Sequence, residues 1–233
     1  MPRLSTWTST VILALATLIS GAPTNDTLIF GRDSTSPSDP NADIEKRFTA
    51  ASILSVAPQT SSCDFSLLEC ATAATAAPAI AVSFVNWQIS SFGAQAAVLS
   101  LMLFESGNFK YNRNHFPAPG RPGQGTRNMQ MPAYNLKYAR WLADNCANCH
   151  ISEEQVDAAE KAGPDDVLAL VNGLQWSFGS AAWFLKTQCD PKILEGLADA
   201  SEASWTAYIG CIGTEVTDDR KEGWKKVVAL GKW

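Results

Sequence analysis

Apolar and polar residues alternate along this chain in blocks that read as helices. The most continuous block is Ala94–Phe104, in which only Gln95 and Ser100 are polar. It is too short to span a membrane, and an apolar helix without a polar face belongs inside a globule. Gly107 follows as a stop signal, because glycine accepts the left-handed conformation just past a helix end. Pro78 reads as the first-turn proline of a helix over Ala79–Ser91, and Ser66–Ala73 as a short helix. Downstream, helices are predicted over Tyr134–Asp144, from the capping box Ser152-Glu-Glu-Gln155, over Asp165–Asn172, Phe178–Lys186, Pro191–Asp199 and Ser204–Cys211, and from Thr217 to about Leu230. Thr217, Asp218 and Asp219 suit a helix start, with acids at its positive end. The Pro/Gly-rich stretch His115–Gly125 must be irregular. No sustained period-two stretch occurs. The expected architecture is mostly α (α+β): a disulfide-stapled helical globule with at most a small strand or hairpin around Tyr111–Met131.

The N-terminus adds processing segments. Arg3 precedes apolar Val11–Ile19 and then small Ser20, Gly21 and Ala22, the pattern of a secretory signal peptide over residues 1–22. Residues 23–47 are rich in Pro, Ser, Thr and Asp and read as a disordered pro-segment. The segment ends in Lys46-Arg47, a dibasic pair resembling a Kex2-type processing site of fungal secreted proteins. The mature domain is then 48–233, exported to the extracellular space. An oxidising destination accounts for the six cysteines. Six cysteines allow about 15 pairings. Proximity along the chain points to Cys63–Cys70, Cys146–Cys149 and Cys189–Cys211, without excluding the others.

At 46% hydrophobic residues the chain can build a core, and a net charge of −5 argues against general nucleic-acid binding. That average hides an asymmetry. Between Glu105 and Leu142 the one acid is Glu105, against Lys110, Arg113, Arg121, Arg127, Lys137 and Arg140. Such a cluster is either a solvated face or the rim of a site for an anionic or polar ligand. Glu105 itself falls in the last turn of the apolar helix, where the helix dipole disfavours an anion. Phe104 and Phe109 would desolvate it further, and both effects raise a carboxyl pKa. A carboxylic acid that keeps its proton near neutrality can serve as a general acid. Nearby cations act in the opposite sense.

Phe104-Glu-Ser-Gly-Asn-Phe109, the Gly-rich loop, Thr126-Arg-Asn-Met-Gln130-Met-Pro132 and Ala133-Tyr-Asn-Leu-Lys-Tyr-Ala139 together resemble the region around the catalytic glutamate in the lysozyme-like superfamily. The likeness is to goose-type lysozymes and soluble lytic transglycosylases, and to an uncharacterised group of fungal secreted proteins. It covers about forty residues. It implies a secreted enzyme cleaving β-1,4-linked N-acetylhexosamine polymers such as peptidoglycan or chitin, needing no metal or other cofactor, with no nucleic-acid partner and no membrane partner once the signal is removed. Glu105 would protonate the leaving oxygen. Ser106 would orient it or close the helix end. Gln124, Asn128, Met129 and Gln130 would line the sugar cleft, with Tyr134 and Asn135 near its floor. No acid follows Glu105 until Asp144, so the second carboxylate of the chicken-type enzymes is missing. A substrate hydroxyl or acetamido group would replace it. The alternative is a non-catalytic secreted glycan-binding or effector protein that keeps the fold.

Two further patterns carry less. Most of the eight tryptophans read as core, with Trp176 and Trp183 as candidate sugar platforms. Cys146-Ala-Asn-Cys149-His150 matches the c-type haem attachment sequence. No Met or His follows it to act as the opposite axial ligand, though Met129, Met131 and His115 before it are conceivable; a local disulfide is the expected state. Two cysteines and one histidine also fall short of a closed zinc site. Oligomeric state has no signature in the sequence.

Overall fold

The computed structural model describes residues 42–233. The expected signal peptide, and the pro-segment up to residue 41, lie outside the described residues. The described chain is all-helical: α1 (Ala42–Arg47), α2 (Ala50–Val56), α3 (Ala73–Asn86), α4 (Phe92–Glu105), α5 (Pro132–Asn145), α6 (Glu153–Ala162), α7 (Pro164–Val171), α8 (Leu174–Gln188), α9 (Pro191–Gly196), α10 (Glu202–Cys211) and α11 (Asp218–Val228). The last residues of the expected pro-segment form α1, and Ile44 is buried against the core. This corrects the expectation of disorder for 42–47.

Helix α4 runs through the middle. Every residue from Gly93 to Leu103 is buried. The two polar residues of that buried stretch are satisfied internally, as burial demands. Gln95 donates through Nε2 to the Ile89 carbonyl at 2.7 Å and accepts from Trp233 Nε1 at 2.5 Å. Ser100 Oγ donates back to the Ala97 carbonyl. Helices α8 and α11 pack on α4, and so does the 3-10 turn Leu197–Asp199. That turn comes so close that a Cβ on Gly93 would sit 2.0 Å from the Leu197 carbonyl oxygen. On the far side α3 packs on α8, while α5, α6 and α7 form a second group.

Two expectations are corrected. Helix α3 begins at Ala73, not Ala79, because Thr72 caps it by accepting from the Thr75 N–H. Pro78 therefore sits inside the helix. It deprives the Ala74 carbonyl of a donor, but Ala74 and Pro78 both face solvent, so the freed carbonyl is not sealed in the core. The segment Ser66–Ala73 is not helical. Asp64 instead takes the Ser66 N–H at 2.8 Å and closes a turn inside the Cys63–Cys70 loop. No strand forms among the described residues. Around Tyr111–Met131, where at most a small strand or hairpin was expected, there are only single bridges, Arg113 to Gly125 and Gly125 to Gln130. The three disulfides are Cys63–Cys70, Cys146–Cys149 and Cys189–Cys211.

Candidate functional site

Glu105 is the last residue of α4. Beyond it the chain turns sharply. The Asn108 N–H bonds the Leu103 carbonyl at 2.7 Å, the Gly107 N–H bonds the Phe104 carbonyl at 3.3 Å, and Gly107 sits at φ +59°. This is the Schellman closure, which needs a left-handed residue at that point. Ser106 is fully buried and completes it. Its hydroxyl donates to the Met102 carbonyl at 2.6 Å and accepts from the Phe109 N–H at 2.9 Å. Ser106 thus closes the helix end.

The Glu105 carboxylate turns towards α11. Arg220 Nη1 lies 2.6 Å from Oε1, and the two side chains are 11% and 19% exposed respectively. The Arg220 guanidinium also stacks 4.2 Å above the Phe104 ring and donates from Nη2 to Thr214 Oγ1. Removal from water raises the Glu105 pKa above the ordinary glutamate value, and Arg220 opposes the shift without cancelling it. Tyr208, buried on α10, is pushed upward by its own burial and then by the Glu105 charge. Phe104 is 40% exposed. Beside it, Ser100, Leu101, Phe104, Trp205, Ile209 and Arg220 line a recess of ≈ 10 Å³, room for about one water and too small for a sugar ring.

The other singled-out residues turn elsewhere. Asn128, Gln130 and Asn135 are buried and bonded in series. Asn128 Oδ1 accepts from Thr126 Oγ1 at 2.7 Å and from Ser180 Oγ of α8 at 2.8 Å. Asn128 Nδ2 donates to Gln130 Oε1, and Gln130 Nε2 donates to Asn135 Oδ1 at 2.7 Å. Asn135 Nδ2 donates to the Gly123 carbonyl at 2.7 Å. This series bolts the Gly-rich loop to α5 and α8. Gln124 is half-buried and donates to the Met129 carbonyl. Met129 is half-buried at φ 48°. Tyr134 packs on Phe184 with ring centroids 4.7 Å apart, and Lys137 Nζ lies 5.1 Å above its ring. Trp183 is core, its ring tilted 35° against Tyr138 with centroids 4.8 Å apart. Trp176 is half-buried at a second recess of ≈ 10 Å³, shared with Asn86, Trp87 and Tyr138.

The basic cluster is not a uniform rim. Arg127 is 3% exposed and donates to the backbone carbonyls of Phe109, Tyr111 and Glu69. Burial lowers its pKa to about 10, which still leaves it charged. Arg140 is taken up by Glu153, Asp157 and Glu160 of α6. Lys110, Arg113, Arg121 and Lys137 face solvent. In Cys146-Ala-Asn-Cys149-His150 both sulfurs are joined to each other, so neither is free for a thioether to haem.

Sequence reasoning missed Arg220 and Glu69. Both are remote in the chain from the residues they serve, and nothing in their local sequence marks them.

No family model matches the chain, and no solved structure matches it. Over 142 residues, 60% of this chain, it is 44% identical to a bifunctional dioxygenase (DOX)-epoxy alcohol synthase (EAS) of Fusarium oxysporum (strain Fo5176). The match spans 11% of that protein's length.

Proposed function

We propose that the protein is an exported glycan-binding or effector protein on a lysozyme-like helical scaffold, acting by recognition rather than by bond cleavage. The observation that carries this reading is the Glu105–Arg220 ion pair at 2.6 Å. A general acid must present a proton to a leaving oxygen. Here the carboxylate is turned to a guanidinium that is itself fixed on Phe104 and Thr214. Asn128, Gln130 and Asn135, which the resemblance would place along the sugar cleft, spend their hydrogen-bonding groups on the loop, α5 and α8. The match to the dioxygenase-epoxy alcohol synthase covers too little of that protein for its activity to be carried over.

A second reading keeps the chemistry: a glycoside hydrolase or lytic transglycosylase acting on peptidoglycan or chitin-like polymers, with Glu105 as general acid. The observation favouring it is the direction of the Glu105 pKa, raised by burial despite Arg220. One experiment separates the two. The processed protein and Glu105→Gln are incubated with peptidoglycan and with chitin oligomers. New reducing or anhydro ends are assayed, and so is co-sedimentation with the insoluble polymers. The first reading expects binding by both proteins and no new ends from either. Ends released by the natural protein and lost in Glu105→Gln establish the second reading. Absence of binding to either polymer removes the glycan assignment.

A further inference from the structure

One buried amide is left over once the interior is accounted for. Every other buried Ser, Thr, Asn, Gln and Arg side chain among the described residues makes a hydrogen bond within the chain, the amides of Gln95, Asn128, Gln130 and Asn135 included. Asn86, the last residue of α3, is 8% exposed and its carboxamide makes none. A buried polar group without a mate inside the chain calls for one from outside. Asn86 is open to such a partner, because it lines the recess of ≈ 10 Å³ between α3, α5 and the start of α8.

The walls of that recess are fixed. Tyr138 of α5 donates its hydroxyl to the Trp176 carbonyl at 3.2 Å and ties the first turn of α8 in place. A Cβ on Gly179 would stand 3.0 Å from the same hydroxyl oxygen, so the bare backbone there lets α8 sit close. The Trp87 ring is backed by Trp141, with centroids 4.5 Å apart. Ser83 Oγ is spent on the Ile80 carbonyl at 2.7 Å. Trp176 is half-buried on the wall, and none of the nine lining residues is charged.

Those walls set the chemistry of an occupant. The recess admits a group about the size of one water. An ammonium or a carboxylate entering it would be desolvated with no opposite charge to meet. A hydroxyl could use Asn86 but would leave the apolar wall without contact. An acetamido group satisfies both, with its small methyl against the apolar wall and its carbonyl oxygen accepting from Asn86 Nδ2. A few placed polar groups in an apolar, aromatic-walled hollow are what orients a small neutral ligand.

We propose that this recess takes the acetamido group of a neutral N-acetylhexosamine chain, bonded by Asn86, with the sugar ring lying against Trp176. The inference rests on the glycan reading and narrows it from peptidoglycan or chitin to the uncharged polymer. It also moves the contact away from Glu105, to the opposite side of α8 from the helix that Glu105 ends.

The test is calorimetric titration of the full-length protein with chitin oligomers, with their de-N-acetylated counterparts, and with cellulose oligomers, which carry a hydroxyl in place of the acetamido group. Co-sedimentation with peptidoglycan runs beside it. Chitin oligomers are expected to bind, and the other two sets at least about tenfold more weakly. In saturation-transfer NMR of the natural protein the acetamido methyl receives the largest transfer. Asn86→Leu and Trp176→Ala each weaken binding about tenfold. Asn86→Leu orphans no partner, so its thermal unfolding is unchanged, and its loss of binding is then a loss of contact. Chitin-oligomer binding undiminished in Asn86→Leu, equal binding of cellulose oligomers, or binding to peptidoglycan alone overturns the recess assignment and leaves the glycan reading standing. No binding of the natural protein to any of these glycans overturns both.

Discussion

Asn135 separates a structural loop bolt from a sugar contact. It is fully buried, its Nδ2 donates to the Gly123 carbonyl at 2.7 Å, and its Oδ1 accepts from Gln130 Nε2 at 2.7 Å. Asn135→Ala leaves both of those partners buried without a mate. Each orphaned group costs about 1–3 kcal/mol, so the pair costs about 2–6 kcal/mol. For a domain of this size each kcal/mol lowers Tm by about 2–4 °C, giving a fall of at least roughly 4 °C. Differential scanning calorimetry reads the shift, and limited proteolysis reads release of the loop between Asn112 and Met131. If Asn135 serves a ligand instead, Asn135→Ala keeps Tm within about 1 °C and weakens only polymer binding. That pair of results would refute the bolt.

Other outcomes follow from the same geometry. Gly93→Ala places a Cβ 2.0 Å from the Leu197 carbonyl, and backbone on both sides makes relief costly, so chemical denaturation should show a loss of about 3 kcal/mol or more. Glu105 has a folded pKa raised above its unfolded value. Its contribution to stability is therefore full below the ordinary glutamate range, near 4.5, and is lost as pH rises through the folded value. The Tm of the natural protein relative to Glu105→Gln should accordingly fall across that window, and a rise would reverse the assignment of burial as the dominant effect. Cys189→Ser/Cys211→Ser opens a crosslink between residues 22 apart, a cost of about 3 kcal/mol on the chain-entropy model, measurable as a shifted urea midpoint.

Much of the helical framework was legible because its signals are local. Thr217 with its following acids, the Ser152-Gln155 capping box and the mostly apolar run before Glu105 act within a few turns, and each marks an observed helix. Gly107 closes α4 as glycine's freedom at positive φ predicts. Pro78 misled because the cost of a proline inside a helix depends on whether the freed carbonyl meets water, and that is a property of the packed surface. The Gly-rich stretch was correctly irregular. What it binds to was illegible, because Arg127 reaches three carbonyls up to 58 residues away in sequence.

Sequence alone determined the capped starts of α6 and α11, the central apolar helix and the position of one carboxyl at its terminus, since these depend on backbone geometry and residues a few positions apart. The tertiary structure decided what that carboxyl meets. Arg220 arrives from a helix more than a hundred residues later, and whether it charges, buries or frees Glu105 is set by the distance between two helices, which no local pattern encodes. The same holds for Asn128, Gln130 and Asn135, whose amides could equally have faced a ligand, and which packing against α5 and α8 turned inward.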